Sequence, residues 1–239
     1  MISETPISIN KIGIICNSQF PDLYKESLSF YSNLPYDKIR VDGSNRFYTI
    51  EFILHVIENY KYDWVILIDE DCFISDTSAM IDLLEYQINN NIDFSGPPDG
   101  GVISHRFHNP VSINTFFTIL NLKKIRGIYN KNQIINTKYD ESLKKFTPSK
   151  LLNKDIRFKY DNFEPYYKLF FWMIKNNMKP LYLDIRNYNK QGDNYSTVLK
   201  NHKGVEFAYH SWLSRKWVDN NQKNRILNLI KDAKTACNL

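Results

Sequence analysis

The chain has 239 residues, of which 43% are hydrophobic and 15% aromatic, so it can bury a sizeable core in one large domain. Its formal net charge is +5 and its lysines are spread along the chain, which excludes a concentrated nucleic-acid-binding surface. The same positive balance suits a polyphosphate ligand or an anionic membrane surface. Residues 1–10 lack a basic segment followed by an apolar run, and no stretch approaches the ~20 apolar residues of a membrane span. We expect a cytoplasmic protein, and leave open peripheral association with the inner face of a membrane.

Cysteine usage gives no sign of a metal cluster or a disulfide framework. The three cysteines, Cys16, Cys72 and Cys237, are far apart and odd in number. They also lack the spacing typical of zinc sites.

The first seventy residues alternate between strand and helix patterns. Apolar runs predict strands at 11–16, 38–41 and 64–68, and helices are predicted at 21–33 and 47–60. This order favours parallel pairing with right-handed crossovers. We therefore predict an α/β sandwich with a mostly parallel central sheet and helices on both faces. No Gly-rich dinucleotide loop follows the first strand, which argues against a nicotinamide or flavin enzyme.

Three carboxylates, Asp69, Glu70 and Asp71, directly follow the third predicted strand. In an open α/β sheet, ligands bind at the carboxyl edge of such strands. Carboxylates this close repel each other unless a cation compensates them, and hard oxygen ligands suit Mg²⁺ or Mn²⁺. The alternative is a solvated acidic turn that caps the next helix, which would explain Asp76 but neither Asp69 nor Asp71. We therefore predict a metal site.

The rest of the chain is less regular. Helices are predicted at 76–89, 163–177 and 218–239, strands at 92–94, 111–122, 180–183 and 205–209, a Gly/Pro-rich loop at 95–101, loops and short helices at 123–160, and a polar, flexible segment at 186–204.

The apolar strand followed by Asp-Glu-Asp resembles the DxD motif of nucleotide-sugar-dependent glycosyltransferases with the GT-A fold. By element order the resemblance covers nearly the whole chain. It implies a GT-A-like, Rossmann-type domain over 1–239, with a nucleotide-binding half over about 1–95, an acceptor-binding half over about 96–217 and a C-terminal helix over 218–239. It also implies transfer of a sugar from a nucleotide-sugar donor, a UDP-sugar being favoured, to a saccharide or glycolipid acceptor in surface polysaccharide or glycan synthesis.

The resemblance assigns roles to residues on the donor side. Asp69 would meet the ribose or the metal, Asp71 would bind the metal, and His210, just after the last strand, would complete a Mn²⁺ (or Mg²⁺) site. Imidazole with carboxylates suits Mn²⁺ better than Mg²⁺. A His after an aromatic strand is commonly a hydrogen-bonded core group, but the nearby Arg215 and Lys216, which suit a diphosphate, favour the metal ligand here. The expected nucleotide-sugar contacts are Cys16, Asn17, Ser18, Asp42, Gly43, Asp69, Glu70, Arg215 and Lys216. Asp42 and Gly43 would also suit a simple turn.

On the acceptor side, His105, Arg106 and Asn114 are candidates to bind hydroxyl groups, although Asn114 could instead bond to the backbone. The resemblance places the acceptor base at the start of the helix predicted at 163–177. Glu164 ranks ahead of Asp161 because Asp is the better helix cap and is more easily explained as one. These carboxylates favour a transfer that inverts the configuration of the sugar. The Asn114 segment and the residues that follow His210 favour one that retains it.

Two alternatives belong to other classes. A haloacid-dehalogenase-like sugar phosphatase also uses Asp-x-Asp after an apolar strand, the first Asp acting as nucleophile. That family normally carries the motif on its first strand, with Thr or Val where Phe73 stands here. The other alternative is a non-catalytic protein that binds nucleotide sugars or carbohydrates.

Overall fold

The computed structural model describes residues 11–44, 50–100, 103, 106–152, 156–190 and 192–237. The strands are β1 (Ile12–Ser18), β2 (Asp37–Asp42), β3 (Trp64–Asp69), β4 (Cys72–Ile74), β5 (Phe94–Gly96), β6 (Phe117–Asn121), β7 (Pro180–Tyr182), β8 (Ile185–Asn187), β9 (Thr197–Lys200) and β10 (Glu206–His210). The helices are α1 (Pro21–Ser29), α2 (Ile50–Asn59), α3 (Thr77–Asn89), α4 (Leu122–Ile128), α5 (Lys131–Asn136), α6 (Ser149–Leu152), α7 (Tyr167–Lys175) and α8 (Asn220–Ala236). Short 3-10 helices cover Glu141–Phe146 and Ser214–Lys216.

The central sheet has six strands in the order β2-β1-β3-β6-β5-β7. β1 pairs in parallel with β2 and β3, and β5 pairs in parallel with β7. Only β6 runs against its neighbours β3 and β5. The predicted fold class, a mostly parallel sheet between helices, is confirmed.

Side chains from β1 and β3 are buried on both faces of this sheet. Ile14 and Ile66 belong to one core cluster, with α1, α3, α8 and the second sheet. Ile15 and Leu67 belong to the other, with α2, α4, α5 and α7. Successive residues of a strand point to opposite faces, so an uninterrupted apolar run is what a doubly covered strand requires.

A second, antiparallel sheet has the order β4-β10-β9-β8. The prediction that residues 186–204 are flexible is wrong, because β9 lies within them and Thr197, Val198 and Leu199 are buried there. β4 was not predicted. It follows β3 after one tight turn and pairs with β10, which joins the end of the acidic segment to the last strand.

Three predicted elements begin later than expected. The strand predicted at 111–122 is formed only by β6, because the Asn114 side chain accepts a hydrogen bond from the Phe116 N–H at 3.2 Å and holds the preceding chain in a loop. The helix predicted from residue 163 begins at Tyr167. α8 begins after Asp219, whose side chain caps it. No helix in the described ranges is both long and apolar enough to cross a membrane.

Candidate active site

The strand order brings the carboxyl ends of β1, β2 and β3 together. Asn17 lies beside Asp69, and Ser18 lies beside Asp42. A cleft of about 450 Å³ opens at this edge. Its lining residues are Asn17, Gln19, Phe52, Asp69, Glu70, Asp71, Arg106, Asn114, Thr115, Glu164, Tyr166, His210, Trp212, Leu213, Ser214, Arg215 and Lys216.

Asp69, Asp71 and His210 converge at this cleft, and their potential ligand atoms lie within 4.8 Å of one another. His210 Nε2 is 3.3 Å from Asp71 Oδ1, and the Ser211 hydroxyl donates to Asp71 Oδ2 at 2.9 Å. The imidazole ring stacks on Phe116, with the ring centres 3.8 Å apart and the planes 11° apart. Its Nδ1 is buried and has no hydrogen-bond partner within the described part of the chain. Stacking on Phe116 and the contact with Asp71 therefore orient this ring.

The two aspartates have different electrostatic surroundings. Burial, together with the charges of Asp71 and Glu70, raises the pKa of Asp69 to about 8, although Arg215 opposes the shift. Burial alone would raise the pKa of Asp71 too. The charge of His210 and hydrogen bonds from His210 and Ser211 lower it below its usual value instead. Burial and neighbouring negative charge thus disfavour the ionised form of Asp69, whereas His210 and Ser211 stabilise the ionised form of Asp71.

The chemistry of this donor set fits a divalent ion. Two carboxylates and an imidazole, whose ligand atoms lie within 4.8 Å of one another, suit Mn²⁺ and accommodate Mg²⁺ less well. The three groups come from the end of β3, the turn before β4 and the end of β10, so both sheets must form before the group assembles.

Glu70 has a bracing role on the same turn. Its carboxylate accepts a hydrogen bond from the Ser18 hydroxyl at 2.8 Å and one from the Phe20 N–H at 2.7 Å. Arg40 Nε donates to the Ser18 oxygen at 3.1 Å. Cys16, on the same strand as Ser18, is buried, and burial raises the pKa of its thiol. Glu70 therefore ties the loop after β1 to the end of β3.

Gly43 makes a close approach to β1. Its N–H donates to Ser18 O at 2.9 Å, and a β-carbon at this position would lie 2.4 Å from Asn17 Oδ1. Asp42 is exposed and accepts from the Ser44 N–H at 2.9 Å; hydrogen bonds from Ser44 lower its pKa. Neither Asp42 nor Gly43 is among the described residues that line the cleft.

Another side of the cleft is organised by Asp99, which the sequence analysis did not single out. This carboxylate is 1% exposed and accepts hydrogen bonds from four side chains. Arg106 donates at 2.8 Å, Asn114 at 2.5 Å and Tyr166 at 2.9 Å, and Tyr167 donates as well. Burial lowers the pKa of Arg106, but its interactions with Asp99, Tyr166 and Glu164 together outweigh burial and raise the pKa above its usual value. Asp99, Arg106 and Asn114 are thereby held together beside Tyr166 and Tyr167 at the start of α7.

The two candidate bases occupy different places. Glu164 lines the cleft, and its Oε1 accepts from Arg106 Nη2 at 2.8 Å. Asp161 is not among the described lining residues; its Oδ2 lies 2.9 Å from His108 Nδ1. Arg106 and Asn114 line the cleft too, whereas the acceptor candidate His105 lies outside the described residues.

Arg215 and Lys216 reach the cleft from a short 3-10 helix that follows a strained turn. Trp212 and Leu213, immediately after Ser211, have φ values of 54° and 60°. The left-handed region costs an L-residue roughly 1–2 kcal/mol, so neighbouring groups must hold this turn.

Several residues in or beside the cleft lay beyond sequence reasoning. Asp99 stands in a Pro-Pro-Asp-Gly-Gly loop that carries no periodicity, and Trp212 follows a strand end with no signal of its own. Tyr166 lies among aromatic residues just before α7, and its hydroxyl donates to Asp99 at 2.9 Å, a contact that helical periodicity does not predict. The one available signal was an acidic residue in a Gly/Pro-rich loop at the functional edge of the sheet.

Neither a known protein family nor a curated protein matches this chain. Similar solved structures exist, and glycosyltransferases are among them.

Three of these structures indicate the level of similarity. Drosophila β1,4-galactosyltransferase 7, solved with manganese, UDP-Gal and xylobiose, is 12% identical with a TM-score of 0.39, over 88% of this chain and 74% of that one. A glycosyltransferase involved in glycosylation of the major capsid of PBCV-1 is 14% identical with a TM-score of 0.33, over 49% and 62%. A protein from STIV is 11% identical with a TM-score of 0.36, over 52% and 70%.

Proposed function

We propose that this protein is a divalent-metal-dependent glycosyltransferase of the GT-A type. It would move a sugar from a nucleotide-sugar donor, a UDP-sugar being favoured, to a hydroxyl group of a saccharide or lipid-linked acceptor. The observation that carries the proposal is the convergence of Asp69, Asp71 and His210, with ligand atoms within 4.8 Å, in a cleft also lined by Arg215 and Lys216. Three ligands for a hard cation next to two cations suit a metal-bound diphosphate.

The donor side of the proposal assigns each group a task. Asp69, Asp71 and His210 would hold Mn²⁺ or Mg²⁺, which when bound supplies Lewis-acid stabilisation of the departing diphosphate. Arg215 and Lys216 would add positive charge where the leaving group gains negative charge. The residues at the end of β1 would contact the nucleoside.

On the acceptor side, we assign Glu164 as the general base. Its carboxylate would accept the proton of the acceptor hydroxyl as that oxygen attacks the sugar, and the bond to Arg106 would fix its direction. A base that acts on the acceptor itself corresponds to the inverting mechanism. Tyr166 and Trp212 line the same cleft and would present ring faces to a sugar.

The direct test is a thermal-shift screen of UDP, GDP and CMP with and without Mn²⁺. A ligand at about 100 times its Kd stabilises the folded state by about 2.7 kcal/mol. For a chain of this size that corresponds to a rise in Tm of about 5–10 °C. We expect such a rise with one nucleotide and only when Mn²⁺ is present. An unchanged Tm with every nucleotide and metal would refute the proposal.

Asp71→Asn tests the site itself, and Asp76→Asn is its matched control. Asp76 caps α3 through the Ala79 N–H at 2.9 Å, and Asn caps a helix as well as Asp does. We expect Asp71→Asn to lose the Mn²⁺-dependent shift and sugar transfer while staying folded, and Asp76→Asn to keep both. Retained transfer in Asp71→Asn would contradict the assignment.

Phosphate release from a sugar phosphate without an acceptor would point to the phosphatase alternative.

A further inference from the structure

The turn Ser211–Leu213 connects two groups of the proposed donor site. His210 precedes it at the end of β10, and Arg215 follows it. Within the turn, Trp212 and Leu213 both adopt positive φ. The distance between the metal ligand and the cation beyond it therefore depends on a backbone conformation that these residues do not favour by themselves.

Arg225, on the buried side of α8, binds two backbone carbonyl groups of this turn. Its Nη1 donates to Ser211 O at 2.6 Å, and its Nη2 donates to Trp212 O at 2.7 Å. The guanidinium is planar with donors in a fixed fork, so two adjacent carbonyls bound to it are held in one orientation. Its side chain is 12% exposed, which shields these bonds from competing water.

The guanidinium is itself fixed by the chain that leads into β9. Its Nη1 donates to the Ser196 hydroxyl at 2.7 Å and lies 3.3 Å from Asp193 Oδ2. Asp193 in turn accepts from the Ser196 N–H at 2.9 Å and from the Ser196 hydroxyl at 2.6 Å. Arg225 therefore joins α8, the entry to β9 and the exit from β10 at one point.

The turn also faces the metal group directly. The Ser211 hydroxyl donates to Asp71 Oδ2 at 2.9 Å, and the Trp212 ring lies 4.8 Å from the His210 ring. A rotation of the 211–212 backbone would therefore disturb both the hydrogen bond to Asp71 and the ring contact with His210. Arg225 has no place in the lining of the cleft among the described residues, so it would act only through the turn.

We infer that Arg225 is a positioning residue of the donor site: it holds the Ser211–Leu213 turn so that His210 and Asp71 face one ion and Arg215 and Lys216 face the diphosphate bound to it. This inference rests on the proposed function. Groups that orient metal ligands typically change metal affinity by about 10- to 100-fold when they are removed.

The experiment compares Arg225→Gln, Arg225→Lys and Lys234→Ala by calorimetric titration with Mn²⁺ alone and then with UDP plus Mn²⁺, below the lowest Tm of the set. Lys234 is the matched control, because it is also a cation of α8 and makes a 2.9 Å ion pair with Glu26, away from the turn. We expect Arg225→Gln to weaken both affinities about 10-fold or more, Arg225→Lys to weaken them less, and Lys234→Ala to leave them unchanged.

The outcomes separate this inference from the proposed function. Wild-type protein that binds neither Mn²⁺ nor a nucleotide would refute the proposed function. Wild-type binding with equal affinities in Arg225→Gln, or equal weakening in Lys234→Ala, would overturn the positioning role alone. Should Arg225→Gln fail to fold, Arg225→Lys decides, because lysine keeps the charge but cannot bind both carbonyls in the guanidinium geometry.

Discussion

Glu164 and Asp161 lie three residues apart and carry the same charge, but the structure gives them different partners. Arg106 binds Glu164 within the cleft, whereas His108 binds Asp161 away from the described lining residues. This difference allows the proposed base to be tested by two isosteric changes made at neighbouring positions.

Glu164→Gln should lower kcat for sugar transfer by about 100- to 10,000-fold, because the amide cannot accept the acceptor proton. The KM for the donor should change little, since the proposed donor contacts lie on other residues. Asp161→Asn should leave kcat within a few-fold of the wild type. Steady-state kinetics over a donor series would measure both. A large loss of kcat in Asp161→Asn, with Glu164→Gln active, would reverse the assignment.

At the residue scale, sequence reasoning found the groups that follow strong strands. Asp69, Asp71 and His210 come directly after apolar or aromatic runs, and the structure brings them together. Asp99 was missed because its importance depends on four partners that are distant or irregularly spaced along the chain. No local pattern encodes such a convergence.

At the element scale, the second sheet carries His210 on β10 and is tied across its strands by Arg186 and Glu206. Arg186 on β8 reaches over β9 and binds both oxygens of Glu206 on β10, at 2.5 and 2.6 Å. This bidentate hydrogen bonding lowers the pKa of Glu206 below its usual value.

The pair should therefore stabilise the fold in a pH-dependent way. Because the pKa of Glu206 is depressed in the folded state, its contribution is fully present above the unfolded pKa of about 4.3 and is lost as the pH falls through the folded value. Both side chains are more than a third exposed, so Arg186→Gln should cost only about 0–1 kcal/mol at pH 7.

The measurement is the Tm of wild type and Arg186→Gln between pH 7 and pH 2.5. The difference between the two proteins should shrink towards zero at the acid end. Lys203→Gln serves as control, because it removes an exposed ion-pair partner of Asp82 and leaves the Arg186–Glu206 pair intact. A difference that stays constant with pH would mean that Arg186 acts through packing and not through the charge of Glu206.

The elements that sequence predicted well are those whose pattern is long. β1, β3 and α3 each carry an uninterrupted or periodic apolar series. β4 and β8 have three residues each, too few to display alternation, and β9 lies among polar residues. These strands are specified by pairing with β10 and with each other, which is a tertiary effect that a local window does not contain.

At the scale of the whole molecule, the six-stranded sheet is shared by both core clusters. Ile66 and Leu67 are adjacent on β3 but belong to different clusters. Loss of packing on either face therefore removes support from the same strands.

We expect this sharing to make unfolding cooperative across both clusters. Ile226→Ala in α8 and Ile57→Ala in α2 each empty a fully packed position, at a cost of about 2–5 kcal/mol. Each variant should unfold in a single urea transition with a lower midpoint than the wild type. Far-UV circular dichroism and tryptophan fluorescence should report the same midpoint. Two transitions, of which only one responds to each variant, would show that the two cores unfold separately.

β6 reverses the sheet, and this reversal decides where the chain before it must run. β5 ends at Gly96 on the edge where β3 also ends, and an antiparallel β6 starts from that same edge. The end of β5 and the start of β6 therefore both lie on this edge. We therefore expect a different loop grafted between β5 and β6 to reshape the side of the cleft lined by Arg106 and Asn114 while the paired strands keep their register.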